Sequence, residues 1–183
     1  AFVPLAILSF GGLFLILQRC GSPGGAFWIG WCFGIGFFFT GLHWIGNSFY
    51  NGAEGLEMYA IPAVAALVAY LAVFPAIACG IAVGLAPRGI WRALALAAGW
   101  TLCELVRGAI LPGFPWNLVG YVALASDEAA QGAAVVGIYG LSFVLVLSST
   151  LGARAIEPGL NRRVRYGLAA ASMVLILGPL SYG

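Results

Sequence analysis

The chain has 183 residues, of which 62% are hydrophobic and only 8% are charged, and its mean hydropathy is +1.02. A water-soluble domain carries about a quarter charged residues, so this composition excludes a single soluble globular domain. The net charge is only +2, and all eight basic residues are arginines spread along the chain. Such a distribution provides no concentrated basic patch, and no nucleic-acid partner is expected. The composition predicts an integral membrane protein.

Six apolar runs, most of them near the length that crosses a bilayer, follow one another along the chain. The third run is too long for one straight perpendicular helix, and Pro62 and Pro75 inside it offer kinks. The glycine pairs at 30/34 and 80/84 have the four-residue spacing that lets membrane helices approach closely. The sequence therefore predicts an all-α polytopic transmembrane bundle of about six spans, with approximate limits 2–17, 26–45, 56–85, 90–109, 129–151 and 164–182.

The arginines predict the orientation of this bundle. Seven of the eight are placed in the connections after the first, third and fifth runs, namely Arg19, Arg88, Arg92, Arg154, Arg162, Arg163 and Arg165. Positive residues mark cytoplasmic loops, so both chain ends are expected on the outer side of the membrane. The chain begins inside an apolar run without a methionine, and it is therefore expected to be part of a longer protein.

The most unusual stretch joins the fourth and fifth runs. Glu104 and Arg107 are three residues apart, so on a helix they share a face and can pair. An ionised side chain in hydrocarbon costs roughly 2.5–3.5 kcal/mol even on lenient insertion scales, and a pair, an interface or a wet cavity is needed to keep it there. The loop 112–117 contains two prolines and cannot continue the helix. Two interpretations remain open: a structural pair that anchors this loop, or a binding site for a zwitterionic or phosphate head group.

The remaining polar residues predict no catalytic centre and no metal site. His43 is the only histidine, and one histidine without a carboxylate cluster cannot make a metal site. It is interpreted as a hydrogen-bonded interfacial residue or as a contact to a lipid head group at the outer surface. The four cysteines lack C-x-x-C spacing and are interpreted as small buried hydrophobes. Gly-rich phosphate loops are missing, and no cofactor is expected.

Several motifs, in order along the chain, resemble the apolipoprotein N-acyltransferase family. They are a Phe-rich run ending in His43-Trp44, the pattern Trp100-x-x-x-Glu104-x-x-Arg107, the block Gly113-Phe114-Pro115-Trp116-Asn117-Leu118-Val119-Gly120-Tyr121, and Gly137-Ile138-Tyr139-Gly140-Leu141-Ser142. The block containing Gly-Phe-Pro-Trp, preceded by the Trp/Glu/Arg pattern, is fairly specific, and the motifs are spread along most of the chain.

The resemblance implies a bacterial inner-membrane enzyme with eight spans and an extracytoplasmic nitrilase-like domain inserted before the last span. Such enzymes move an acyl chain from a phospholipid to the free α-amino group of a diacylglyceryl-cysteine. The family forms a thioester on a cysteine, aided by Glu and Lys, which divides one hard transfer into two easier ones. This chain has no lysine, and by this resemblance it is expected to lack the family's first span, nitrilase-like domain and last span. No catalytic residue is therefore expected in it, and that domain is expected after residue 183.

The functional hypothesis is the membrane domain of an apolipoprotein N-acyltransferase, inactive by itself. Its expected partners are a phospholipid acyl donor and a diacylglyceryl-modified lipoprotein acceptor. Glu104 and Arg107 are expected to position the loop that follows them. The residues expected to line a lipid entrance are His43, Trp44, Phe114, Trp116, Asn117 and Tyr121. Two alternatives remain open: the same domain fused to a polyprenol-phosphate glycosyltransferase, and a non-catalytic lipid-binding or transporter bundle.

Overall fold

The computed structural model describes residues 3–51, 55–110, 113–125 and 127–178. These residues form helices and connecting segments, with no strand among them, and the predicted all-α fold is confirmed. The α-helices are α1 (Val3–Arg19), α2 (Pro23–Leu42), α3 (Ala60–Leu71), α4 (Val73–Leu85), α5 (Ile90–Ala109), α6 (Asp127–Gln131), α7 (Ala133–Ile156) and α8 (Arg162–Leu177). Short 3-10 helices cover His43–Phe49, Glu57–Tyr59 and Val119–Ala125.

The helices pack side by side around one apolar core. Helix α2 packs on α4, α4 on α5, and α5 on α7, while α7 also contacts α1 and α8. Three helical segments in the described part of the chain are long and apolar enough to cross a membrane: Pro23–Phe49, Glu57–Leu85 and Ala133–Ile156. Helix α1 is a shorter apolar helix, and α5 carries three buried charged residues, Arg92, Glu104 and Arg107. Helix α5 thus packs one face on α4 and α7 and leaves the other face exposed, at Trp91, Leu102 and Leu105 among others.

The predicted runs and the observed helices differ mainly at their ends. The fourth run coincides with α5, whereas the second run ends earlier, at Leu42, and continues as a 3-10 helix. The third run is interrupted at Ala72, because the ring of Pro75 crowds the carbonyl four residues before it. The helix that corresponds to the fifth run, α7, begins at Ala133, after the separate short helix α6. The sixth run extends beyond residue 178, outside the described residues.

Close packing of α2 on α4 depends on two glycines. A Cβ atom on Gly30 would lie 2.6 Å from the Pro75 carbonyl oxygen, and one on Gly34 would lie 2.9 Å from Ala72 Cα. The second glycine pair is less tightly packed, since a Cβ on Gly80 would meet its nearest neighbour at 3.5 Å. The first pair is therefore the one that sets a helix–helix distance.

We expect Gly30→Ala to destabilise the bundle by roughly 1–3 kcal/mol, because the new methyl group meets backbone that cannot move aside. Gly36→Ala on the same helix is the matched control, since nothing lies within 4 Å of its Cβ position. Thermal unfolding of both variants in detergent measures the difference. Equal melting temperatures for the two variants would contradict this account of α2–α4 packing.

Arginines cap the C-terminal end of α1. Arg92 is buried and donates from Nη1 to the Leu17 carbonyl oxygen at 2.8 Å. Arg88 donates from Nε to the carbonyl oxygen of Gln18 at 2.7 Å, and the Gln18 side chain accepts from the backbone N–H of Gly89 at 3.1 Å. Cations at a helix C-terminus offset the partial negative charge there. Arg92, placed in a loop from the sequence, thus lies within α5 and holds the end of α1.

The other arginines of the orientation argument lie at this same end of the bundle. Arg154 lies in the last turn of α7, within about 4 Å of the Cβ position of Gly89, and pairs with Glu157 at 2.6 Å. Helix α8 starts after a short turn, at Arg162. We call this the basic end. The C-terminus of α5 and the loop after it lie at the opposite end, the loop end.

Candidate functional site

Helix α5 reaches the loop end with three buried side chains, those of Trp100, Glu104 and Arg107. Residues three and four apart on a helix share one face, so these three side chains point to the same neighbour. Glu104 Oε1 accepts a hydrogen bond from Trp100 Nε1 at 3.1 Å and another from the backbone N–H of Val119 at 2.9 Å. One carboxylate oxygen therefore joins the helix to the chain fifteen residues later.

Arg107 holds the near part of the same loop. Its Nη1 donates to the carbonyl oxygens of Phe114, at 2.9 Å, and Trp116, at 2.7 Å. In return, the backbone N–H of Phe114 donates to the Arg107 carbonyl oxygen at 2.9 Å. The guanidinium carbon lies 5.0 Å from the centroid of the Phe38 ring, a favourable position for a cation. The guanidinium thus ties the loop to α5 and lies against α2.

The direct ion pair considered for Glu104 and Arg107 is not formed. The described residues contain one ion pair, between Arg154 and Glu157 at the basic end. Each charge at the loop end is instead occupied by backbone groups of residues 114–119. The physical reason is that a loop without regular hydrogen bonds needs partners for its own N–H and C=O groups, and these two side chains supply them.

The space beside the second carboxylate oxygen is very small. Glu104 Oε2 is buried and has no hydrogen-bond partner among the described residues. The adjoining cavity, lined by aromatic rings together with Glu104 and Arg107, has a volume of about 10 Å³. That is room for about one water molecule. A lipid head group does not fit beside this carboxylate.

The backbone of the loop turns at two residues with positive φ. Gly113 has φ 97° and Asn117 has φ 58°. The left-handed region carries a steric penalty for most side chains, and glycine and asparagine tolerate it best. The Gly113 N–H donates to the Ile110 carbonyl oxygen at 2.8 Å, which closes the end of α5. The residue types at these two positions are therefore those that the loop conformation requires.

The loop also docks on α2, the helix that is eighty residues earlier in the chain. Asn117 Nδ2 donates to the Phe37 carbonyl oxygen at 3.4 Å. Its amide group occupies the place that a Cβ on Gly41 would take. The rings of Trp44 and Trp116 are stacked, with centroids 5.8 Å apart and an interplanar angle of 14°. We call these two stacked rings, each about half exposed, the tryptophan pair.

The far side of the loop is joined to α7. The backbone N–H of Gly120 donates to Ser142 Oγ at 2.8 Å, and a Cβ on Gly120 would overlap the Ile138 carbonyl oxygen. Helix α7 is interrupted near its start by Gly137, with φ 70° and ψ 171°. Tyr121 donates from its hydroxyl to the Pro115 carbonyl oxygen at 3.2 Å, within the loop itself.

His43 lies beside a different feature, a groove between α3 and the segment formed by α2 and its 3-10 extension. The groove has a volume of about 410 Å³. Its polar lining residues are His43, Asn47 and Tyr50, and its apolar lining residues are Ile35, Phe39, Ala60, Ile61, Val64, Ala65 and Val68. From residue 35 to residue 43 the groove follows the helix for about 12 Å. We call it the α2–α3 groove.

The structure therefore divides the six residues predicted at a lipid entrance. Trp44, Trp116 and Asn117 meet where the loop docks on α2, and Phe114 joins them through ring contact with Trp116 at 5.8 Å. His43 lines the α2–α3 groove, where its Nδ1 lies 3.2 Å from the Thr40 carbonyl oxygen. Sequence reasoning missed Ser142 as a loop partner, although it closes one of the motifs that had been singled out.

The sequence profile of the apolipoprotein N-acyltransferase N-terminal domain matches residues 1–151. The chain belongs to this family. The match confirms the resemblance drawn from the motifs, and it extends from α1 through most of α7. All the loop-anchoring residues described above lie within it.

Three relatives named apolipoprotein N-acyltransferase are similar to this family member over most of its length. The protein of Allorhizobium ampelinum is 42% identical over 163 residues, which is 86% of this chain and 29% of the relative. That of Rhodopseudomonas palustris is 36% identical, covering 91% of this chain and 31% of the relative. That of Caulobacter vibrioides is 35% identical, covering 94% and 33%. The chain thus spans about a third of the length of these relatives.

Proposed function

We propose that this chain is the membrane domain of an apolipoprotein N-acyltransferase in the bacterial inner membrane. It holds a phospholipid acyl donor and a diacylglyceryl-modified lipoprotein acceptor for acyl transfer to the N-terminal cysteine amine of the acceptor. The chain supplies no catalytic residue to that reaction. The basic end faces the cytoplasm, in accordance with the positive-inside rule, and the loop end and both chain ends face the extracytoplasmic side.

The observation that carries the proposal is the α2–α3 groove. It is apolar along the helices and polar at one end, where His43, Asn47 and Tyr50 lie. A phospholipid has the same division between acyl chain and head group. Since lipid tails are as apolar as the groove lining, the acyl chain of a phospholipid enters the groove sideways from the bilayer without crossing a polar barrier. The polar end lies toward the loop end, where a donor ester is needed.

The loop does not line the groove. It docks on α2 at Phe37 and Gly41, on the face opposite Ile35 and Phe39 of the groove. It contributes the tryptophan pair as a second, separate lipid contact at the loop end.

The aromatic residues of the loop are held by Arg107 and Glu104 through backbone bonds, so the tryptophan pair keeps its place while lipids exchange. The cavity beside Glu104 is too small for a head group, which favours the structural interpretation of this residue over the binding one. We therefore assign Glu104 and Arg107 as positioning residues, and Trp44 and Trp116 as residues that contact lipid.

The test places a large side chain in the α2–α3 groove without replacing a residue of the core. Ala65 is exposed and lines the groove, whereas its neighbour Ala66 is exposed and does not. In the intact enzyme, Ala65→Trp is expected to lower acyl transfer from phospholipid to a diacylglyceryl lipopeptide by roughly tenfold or more, because the acyl chain is displaced from its position. Ala66→Trp is expected to leave the rate unchanged.

Both variants should unfold at the wild-type temperature, since neither replaces a buried residue. A normal rate with Ala65→Trp, in a protein that folds normally, would refute the groove as the donor site. Trp116→Ala serves as a second variant, and we expect a lower rate with little change in stability because its ring is 51% exposed.

A further inference from the structure

The first two turns of α8 stand clear of the helix packing. Residues 162–167 are all exposed, and Leu168 is the first residue of α8 that is partly buried. Further along, Ser172 Oγ donates to the Ser148 carbonyl oxygen at 2.8 Å and fixes α8 to α7. The exposed turns contain three arginines in four positions: Arg162, Arg163 and Arg165. We call these three side chains the arginine surface.

The arginine surface has no acidic partner within the described part of the chain. The nearest carboxylate in sequence, Glu157, is engaged by Arg154 at 2.6 Å. Helix α8 has no acid in its first turn, and Asn161 caps it by accepting from the Val164 N–H at 2.8 Å. Three adjacent positive charges repel one another. They are also disfavoured at the N-terminus of a helix, which itself carries a partial positive charge. A negatively charged partner would remove both penalties.

Further along α8 the exposed side chains are apolar, including Met173, Val174 and Leu177, which favours contact with the bilayer beside the arginine surface. Val174 is nine residues beyond Arg165, about 13 Å along the helix axis, which is close to half the thickness of the hydrocarbon core. When Val174 lies near the bilayer centre, Arg165 therefore lies near the head groups. The exposed ring of Tyr166 is of the kind enriched at that depth.

We propose that Arg162, Arg163 and Arg165 bind the phosphate groups of anionic phospholipids in the leaflet at the basic end. The planar guanidinium donates two parallel hydrogen bonds to phosphate oxygens. The neighbouring Val164 and Tyr166 contact the segment of the acyl chains that lies next to the head groups. This surface lies at the opposite end of the bundle from the α2–α3 groove, so it is independent of the proposed function.

The experiment measures lipid selectivity of the full chain in phosphatidylcholine nanodiscs. Spin-labelled phosphatidylglycerol and spin-labelled phosphatidylcholine are compared by the fraction that the protein immobilises in electron paramagnetic resonance spectra. The wild type is expected to prefer phosphatidylglycerol, and the triple variant R162Q/R163Q/R165Q is expected to lower that preference by at least roughly fivefold, since basic residues at an anionic surface each contribute about this factor. Arg19→Gln, which removes one exposed arginine at the same end, is the matched control and should lower the preference much less than the triple variant does.

Two further arms identify what is bound. The triple Arg→Lys variant keeps the charge and is expected to keep most of the selectivity. Inorganic phosphate at millimolar concentration is expected not to compete, whereas full competition would identify a free-phosphate site and overturn the proposal. Wild-type protein without selectivity, an unchanged triple Gln variant, or an equal loss with Arg19→Gln would also overturn it. Circular dichroism and thermal unfolding establish that each variant is folded.

Discussion

Replacing Arg107 with methionine is expected to release the loop from α5. Methionine fills much of the same volume but leaves the carbonyl oxygens of Phe114 and Trp116 without the donor that now lies 2.9 and 2.7 Å away. A hydrogen bond to a charged group contributes about 1.5–3 kcal/mol. Because these two are only partly buried, we expect a combined loss of roughly 2–4 kcal/mol in the free energy of unfolding. Acyl transfer by the intact enzyme should fall by up to ~100-fold, because the tryptophan pair is displaced.

Amide hydrogen exchange separates release of the loop from general unfolding. In Arg107→Met, the N–H of Phe114 should exchange faster, while amides in the middle of α5 keep their protection. Arg107→Lys keeps a positive donor on a shorter side chain without the planar fork, and an intermediate loss is expected. Arg19→Met removes an exposed arginine at the basic end and should leave loop exchange and acyl transfer unchanged. Wild-type exchange at Phe114 in Arg107→Met would show that the loop keeps its conformation without the guanidinium.

Much of the helix pattern was readable from the sequence because it depends on local hydropathy. Helix α5 has the predicted limits, although it carries three buried charged side chains. The run is recognisable in the sequence because apolar residues predominate in each turn between these charged side chains. The approximate start of the fifth run, residue 129, falls within α6, and Gly132 separates this short helix from α7. Glycine weakens a helix there, and hydropathy does not register that.

The hydrogen-bond partners of the loop could not be predicted from the sequence. The spacing of Glu104 and Arg107 indicated a shared helix face, and the two side chains do share one, but the spacing did not indicate which backbone groups each of them would bond. Which group satisfies a charge depends on the path of the chain afterwards, and here the loop returns its own backbone to α5. The contact of Asn117 with Phe37 joins residues eighty positions apart. No local pattern specifies such a contact, because it exists only after α2 and α5 have packed on α4.

Two glycine-containing motifs acquire a physical explanation from these contacts. Gly41 leaves room for the Asn117 amide, and Gly120 leaves room for the Ile138 carbonyl oxygen. Both are positions where the loop approaches a helix closely, one on α2 and one on α7. The motif residues that resemble the family are therefore the residues that hold the loop on three helices. Their function is consistent with holding the tryptophan pair in a fixed position at the loop end, on the face of α2 away from the α2–α3 groove.

Two substitutions of Glu104 distinguish between two sources of loop stability: the hydrogen bonds that its carboxylate accepts, and its negative charge. Glu104→Leu removes the acceptor for Trp100 Nε1 and for the Val119 N–H, and we expect a loss of roughly 2–4 kcal/mol because two buried donors remain unpaired. Glu104→Gln keeps an oxygen in the place of Oε1. Its amide nitrogen takes the place of Oε2, which has no partner among the described residues, and the space beside it admits about one water.

We therefore expect Glu104→Gln to lose less than about 1 kcal/mol and to retain most of the acyl transfer of the intact enzyme. Thermal unfolding and the exchange rate of the Val119 amide measure the two variants side by side. If Gln proves as damaging as Leu, the negative charge facing the Arg107 region carries the stability, and acceptance by Oε1 does not. If both variants are harmless, the link from α5 to Val119 is not what holds the loop. Arg107 would then hold it alone, and Arg107→Met would be the more damaging change by far.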